Sequence, residues 1–209
     1  HSMCGIFGYV GSRSDAGKVV LEGLKNLEYR GYDSWGIAWA TPTGGMKVQK
    51  DVGKISAVEE DRFQEPSSLA IAHTRWAPHG GVTQKNAHPH MSASGKIAVV
   101  HNGIIENYAQ LREELRAKGH TFISETDTEI IPHLIEEEYN VCRDFGAAVR
   151  RACLMFEGRF AILALDRSSG VLAAARTGSP LIVGVGTDGY FIASDIPAFL
   201  KHTRTVQYI

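Results

Sequence analysis

Cysteine is scarce in this 209-residue chain: Cys4, Cys142 and Cys153, an odd number without metal-type spacing. That argues against a disulfide framework and points to a reducing compartment, the cytoplasm. Net charge is scarce too. Lys and Arg number 22 against 23 Asp and Glu, a balance of −1, which gives no footing for nucleic acid or an anionic membrane as a main partner. Long apolar runs are missing: Phe160-Ala161-Ile162-Leu163-Ala164-Leu165 is strand-length, far short of the ~20 residues that span a bilayer. No signal peptide follows Met3. No repeat, low-complexity tract or linker divides the chain either, and its length suits one well-filled core.

What is present sorts by period. Short β-prone stretches predict strands over 6–10, 36–40, 46–50, 69–74 and 97–101, then over 160–166, 171–175, 181–185, 190–193 and 205–209. Helical spacing joins Val20, Leu24 and Leu27 behind Asp15 as cap, and Tyr108, Leu111 and Leu115 ahead of a closing Gly119. Thr126-x-x-Glu129 reads as a capping box before Ile130, Ile131, Leu134 and Ile135. Phe145, Val149, Ala152 and Phe156 keep the same spacing, which makes neighbouring Cys142 and Cys153 structural. Strands grouped at both ends with helices between them predict an α+β fold with largely antiparallel sheets.

Cys4 stands out by position. With Met3 removed, it would carry a free α-amino group, so one residue would supply both a thiol and a base. An α-amino group titrates near ~7.7–8.0 and a thiol near ~8.5, and an N-terminal amine can activate a nucleophile on its own residue. His1-Ser2-Met3 reads as an added leader ending in an initiator Met. Taken alone, Cys4 also fits a buried cysteine on an edge strand.

Polar clusters fall where loops are expected, the places where function concentrates. Leu27-Glu28-Tyr29-Arg30-Gly31-Tyr32-Asp33-Ser34 is a helix end, a Gly turn and a possible ion pair. In His73-Thr74-Arg75-Trp76-Ala77-Pro78-His79-Gly80-Gly81, the arginine could pair bidentately with a carboxylate. His88 and His90 stand two apart, but no third ligand sits at a familiar zinc spacing, so no metal is expected. Asn102-Gly103 is a turn or a pair of donors for an oxyanion. Asp127, in Ser124-Glu125-Thr126-Asp127-Thr128-Glu129, is a helix cap or the partner of an ammonium. Together these clusters could grip a free amino acid by its backbone ends and attack its side-chain amide.

The same motifs, with Cys4-Gly5-Ile6 and His101-Asn102-Gly103-Ile104-Ile105-Glu106-Asn107, carry a resemblance. In order and over nearly the whole chain, they resemble the glutaminase domains of the glucosamine-6-phosphate synthases, the isomerising glutamine–fructose-6-phosphate aminotransferases. The resemblance implies an N-terminal-nucleophile hydrolase fold, a four-layer αββα sandwich with two mostly antiparallel sheets. It divides the chain into the leader, 1–3, and a glutaminase domain, 4–209, cut before a C-terminal isomerase domain. It also implies hydrolysis of L-glutamine to glutamate and ammonia through a γ-glutamyl thioester, with no cofactor, and a homodimeric full-length enzyme. By resemblance, Cys4 is the nucleophile and its α-amino group the base. Asn102 and the Gly103 N–H form the oxyanion hole, and Arg30 and Gly31 support the nucleophile. Arg75 pairs with the glutamine α-carboxylate and Asp127 with its α-ammonium. Trp76 and His79 lie over the glutamine, Trp76 also as a gate for ammonia.

One departure falls inside that pattern. Pro78 stands where the family usually has Thr, removing a hydroxyl and an N–H and restricting Ala77. Rival readings are other N-terminal-cysteine amidotransferases, delivering ammonia to phosphoribosyl pyrophosphate or aspartate, and an amino-acid-binding module without turnover.

Overall fold

The computed structural model describes residues 4–76 and 81–209. Its first sheet holds seven strands in the order β11-β9-β10-β1-β4-β2-β3. These are β1 (Gly5–Gly11), β2 (Ser34–Ala40), β3 (Met46–Val52), β4 (Leu69–Arg75), β9 (Ile182–Val185), β10 (Gly189–Ala193) and β11 (Val206–Tyr208). The second sheet holds β5 (His90–Met91), β6 (Ile97–Gly103), β7 (Phe160–Asp166) and β8 (Val171–Thr177) in that order. Every pairing between these strands is antiparallel. The four α-helices are α1 (Ala16–Lys25), α2 (Tyr108–Ala117), α3 (Ile130–Cys142) and α4 (Phe145–Cys153).

Three apolar clusters define the layers. Phe7 and Tyr9 of β1 meet Val20 and Leu24 of α1 on one face of the first sheet. Ile6 of β1 and Ile71 of β4 point to the opposite face, against Val100 of β6 and Leu163 of β7. Val99 and Ile162, on the far face of the second sheet, pack on Leu111, Ile131 and Val149 of the other helices. The order is helix, sheet, sheet, helices: an α+β sandwich of four layers. Strand alternation does the sorting, since successive side chains point to opposite faces.

Several local expectations need correction. Cys4 does not sit on an edge, because β1 lies between β10 and β4. Asp15 precedes α1 without a side-chain cap bond; its carboxylate is held instead by Arg13, through Nε and Nη2 at 2.8 Å each. The Thr126–Glu129 box does not form. Thr126 makes no side-chain cap bond, and Glu129, buried, accepts from the N–H groups of Ile123 and Ser124 and from the Ser124 hydroxyl. A buried carboxylate takes three donors there in place of one cap. Phe156 lies beyond the end of α4, yet still packs in the helical core against Phe160.

Candidate active site

Parity along the strands brings the chemistry to one place. On β4, His73 and Arg75 share the face of Ile71, and on β6 Asn102 shares the face of Val100. Cys4 sits one residue before β1, on the side of Ile6. All four therefore belong to the space between the sheets. The antiparallel register puts Gly5 opposite Thr74, so the start of β1 lies beside the end of β4.

Cys4 is fixed from three directions. Its carbonyl accepts from Arg30 Nε at 3.0 Å and from Asn102 Nδ2 at 2.9 Å. The backbone N–H of Trp76 points at Cys4 Sγ, 3.4 Å away, and the Trp76 carbonyl lies 3.7 Å from the same sulfur. The Trp76 backbone thus meets the sulfur with both a donor and an acceptor. Arg30 is braced in turn by Asp195, 3.6 Å from its Nη1. That carboxylate also accepts from the Tyr29 hydroxyl, whose pKa is pushed up to about 12, by burial first and by this bond second. Gly31 follows at close quarters: a Cβ there would stand 2.8 Å from the Arg75 carbonyl carbon and 3.0 Å from Trp76 N.

The oxyanion candidates close β6. Ile104 N donates to Arg159 O, so the alternation of an antiparallel ladder turns the Gly103 N–H away from β7. Gly103 has φ +104°, and a Cβ there would fall 2.0 Å from Arg159 O; only glycine fits. Asp127 does not cap its own helical turn. Its Oδ2 accepts from Ile105 N at 2.8 Å, which ties it to the segment just past Gly103. Arg75 offers a further clue: Nη1 is buried with no hydrogen-bond partner among the described residues. A buried guanidinium N–H left unpaired costs free energy that an incoming anion would recover.

Cys4, Arg30, Gly31, Asn102 and Gly103 thus share one neighbourhood with Trp76 and Arg75, and Asp127 is anchored next to it. Trp76 meets the thiol with its backbone, while the residue is 36% exposed. His79 and Pro78, with the expectations placed on them, lie outside the described residues. Sequence reasoning missed Asp195, which follows a strand and precedes Ile196-Pro197 like an ordinary turn residue. It gave the histidine of the His73–Arg75 motif only a general hydrogen-bonding role and no partner, although the two-residue spacing places His73 and Arg75 on one face. Among the described residues no cluster of His, Cys, Asp and Glu could hold a metal ion, and no helix is long and apolar enough to cross a membrane.

Comparison with known proteins adds a lineage to this geometry. A family described as "Glutamine amidotransferase domain" matches residues 73–201. Among curated relatives, the isomerizing glutamine–fructose-6-phosphate aminotransferase of Streptomyces coelicolor is 50% identical over 206 residues, 97% of this chain and 33% of the relative. An enzyme of the same name from Thermus thermophilus is 51% identical over 99% of this chain and 34% of its own length. The chain therefore spans about a third of the length of these relatives. Among solved structures, the glutamine phosphoribosylpyrophosphate amidotransferase of B. subtilis, complexed with ADP and GMP, aligns with a TM-score of 0.80 at 27% identity, covering 99% of this chain and 44% of that one. A structure titled the allosteric regulatory enzyme of purine biosynthesis aligns at 0.84 and 28%, covering 98% and 44%.

Proposed function

Since this chain belongs to the glutamine amidotransferase domain family, we propose that it hydrolyses L-glutamine at Cys4. The observation that carries the reading is the fixing of Cys4: Asn102 Nδ2 and Arg30 Nε on its carbonyl and the Trp76 N–H on its sulfur. In the proposed reaction, Arg75 takes the substrate α-carboxylate and Asp127 its α-ammonium. Cys4 Sγ gives its proton to the α-amino group of the same residue and bonds to the side-chain carbonyl carbon. The second N–H of Asn102 Nδ2 and the Gly103 N–H hold the oxyanion. Collapse breaks the C–N bond, and the nitrogen leaves as ammonia with the proton from the base. Water then attacks the γ-glutamyl thioester, releasing glutamate and restoring the thiol.

The roughly 50% identity to aminotransferases named for fructose 6-phosphate, against 27–28% to the two solved structures, supports the former as the natural context. There, ammonia made at this site would pass to a sugar-phosphate isomerase domain of the same polypeptide to form glucosamine 6-phosphate, in a cytoplasmic homodimer, with Trp76 and His79 over the glutamine. The test compares ammonia release from glutamine by the chain as it stands and by the chain begun at Cys4. General-base help is worth about 10²–10⁴-fold, so the second form should be faster by that order. Equal rates, with mass spectrometry confirming residues 1–3 intact, would remove the amine from the mechanism. No ammonia from either folded form would remove the glutaminase reading itself.

A further inference from the structure

Behind the site stands a column of buried histidines that the proposed reaction does not use. His73 and His88 stack with ring centroids 4.0 Å apart at 14°, and His101 lies parallel behind His88 at 6.4 Å. His73 Nε2 lies 2.9 Å from Asn102 Oδ1. His88 is held in place: its Nδ1 accepts from the His101 N–H at 3.2 Å, and its Nε2 lies 3.3 Å from the Thr128 hydroxyl.

We propose that His73 is a positioning residue: its Nε2–H holds the Asn102 side-chain amide in the one orientation that turns the NH2 group toward Cys4. The proposal rests on the glutaminase reading above. An Asn amide can flip by 180°, and only its neighbours decide which end is which. Here the Cys4 carbonyl decides, because a carbonyl oxygen can only accept. Asn102 Nδ2 must face it at 2.9 Å, which leaves Oδ1 facing His73 and demands a proton on Nε2. The rival arrangement would put the proton on Nδ1, which is buried with no hydrogen-bond partner among the described residues, and flip the amide. Asn102 Oδ1 and the Cys4 oxygen would then meet at 2.9 Å with no proton between them. Burial also pushes the His73 pKa down, to about 3. The ring therefore stays neutral and has a single N–H to place. The stack on His88 fixes the plane in which that N–H points.

Two arms test this. Nitrogen-15 shifts of the imidazoles in the chain as it stands should show His73 neutral with the proton on Nε2 throughout pH 6–8. A proton on Nδ1, or a ring titrating near 6.5, would overturn the proposal. In the chain begun at Cys4, His73→Leu should lower kcat about ten- to a hundredfold while KM moves less than about threefold. That loss is smaller than the 10²–10³ expected when an oxyanion donor itself is removed. His73→Gln, whose amide N–H can reach the place of Nε2, should restore most of the rate. A folded His73→Leu protein with unchanged kcat would also overturn the proposal. If His73→Leu does not fold, the tautomer decides alone. If neither the chain as it stands nor the unsubstituted chain begun at Cys4 releases ammonia, the glutaminase reading fails and the tautomer still judges the placement of Asn102.

Discussion

Cys4 and Cys153 are both partly buried thiols on one chain, and their surroundings differ. Cys153 ends α4 and packs against the helical core. Burial with no compensating donor pushes its pKa up to about 12, so it stays a thiol at any physiological pH. Cys4 has the Trp76 N–H aimed at its sulfur, and two side-chain donors hold its carbonyl. Composition treats the two alike. What separates them is the Trp76 N–H, which the end of β4 brings to the Cys4 sulfur and a packed helix face does not bring to Cys153.

The largest break in this comparison is Cys4→Ala. It removes only a thiol beside a strand end, so the protein should keep its circular dichroism while glutamine hydrolysis disappears. Residual turnover comparable to the parent would move the nucleophile elsewhere.

Asn102→Ala comes next. Loss of one oxyanion donor costs about 10²–10³ in turnover in a well-studied protease, so kcat should fall by that order with KM little changed. A mutant with its rate intact and its affinity lost would make Asn102 a ground-state contact.

Arg75→Ala and Asp127→Ala should act on binding instead. A charged hydrogen bond is worth ~1.5–3 kcal/mol, hence about ten- to a hundredfold or more in KM for each. Glutamine analogues lacking the α-carboxylate or the α-amine should be correspondingly poor substrates for the parent chain. Asp127 also holds Ile105 N, so thermal unfolding of that variant should be measured beside its kinetics. Equal turnover of the truncated amides would point to a different binding mode.

The smallest effect belongs to Cys153→Ala. A point change in a core costs on the order of 1 kcal/mol, and activity should not move. With the folded-state pKa above the ordinary 9.0, Cys153 should also resist alkylation at pH 9 while the native fold persists.

Much of this was legible in the sequence, because alternation and helical spacing are local. The ten expected strands fall on β1–β4 and β6–β11, with ends moved by at most two residues and β7 matched at both. The two-residue β5 was too short to leave a period. The caps went wrong for one shared reason: Asp15 and Glu129 found stronger partners, Arg13 for the first and a run of N–H groups for the second. Local pattern cannot weigh such rivals. Asp195 was invisible because it reaches Arg30 from the opposite end of the chain. His73 was visible as a residue, but its bond to Asn102 depends on how two sheets stack, and no single segment encodes that.

The contrast between the cysteines can be put to one measurement. The chain is treated with an electrophilic glutamine analogue, digested, and its peptides are mapped by mass spectrometry. One adduct should appear, on Cys4, with Cys142 and Cys153 unmodified, and excess glutamine should slow its formation. An adduct on Cys142 or Cys153, or labelling of Cys4 that glutamine does not slow, would contradict the account.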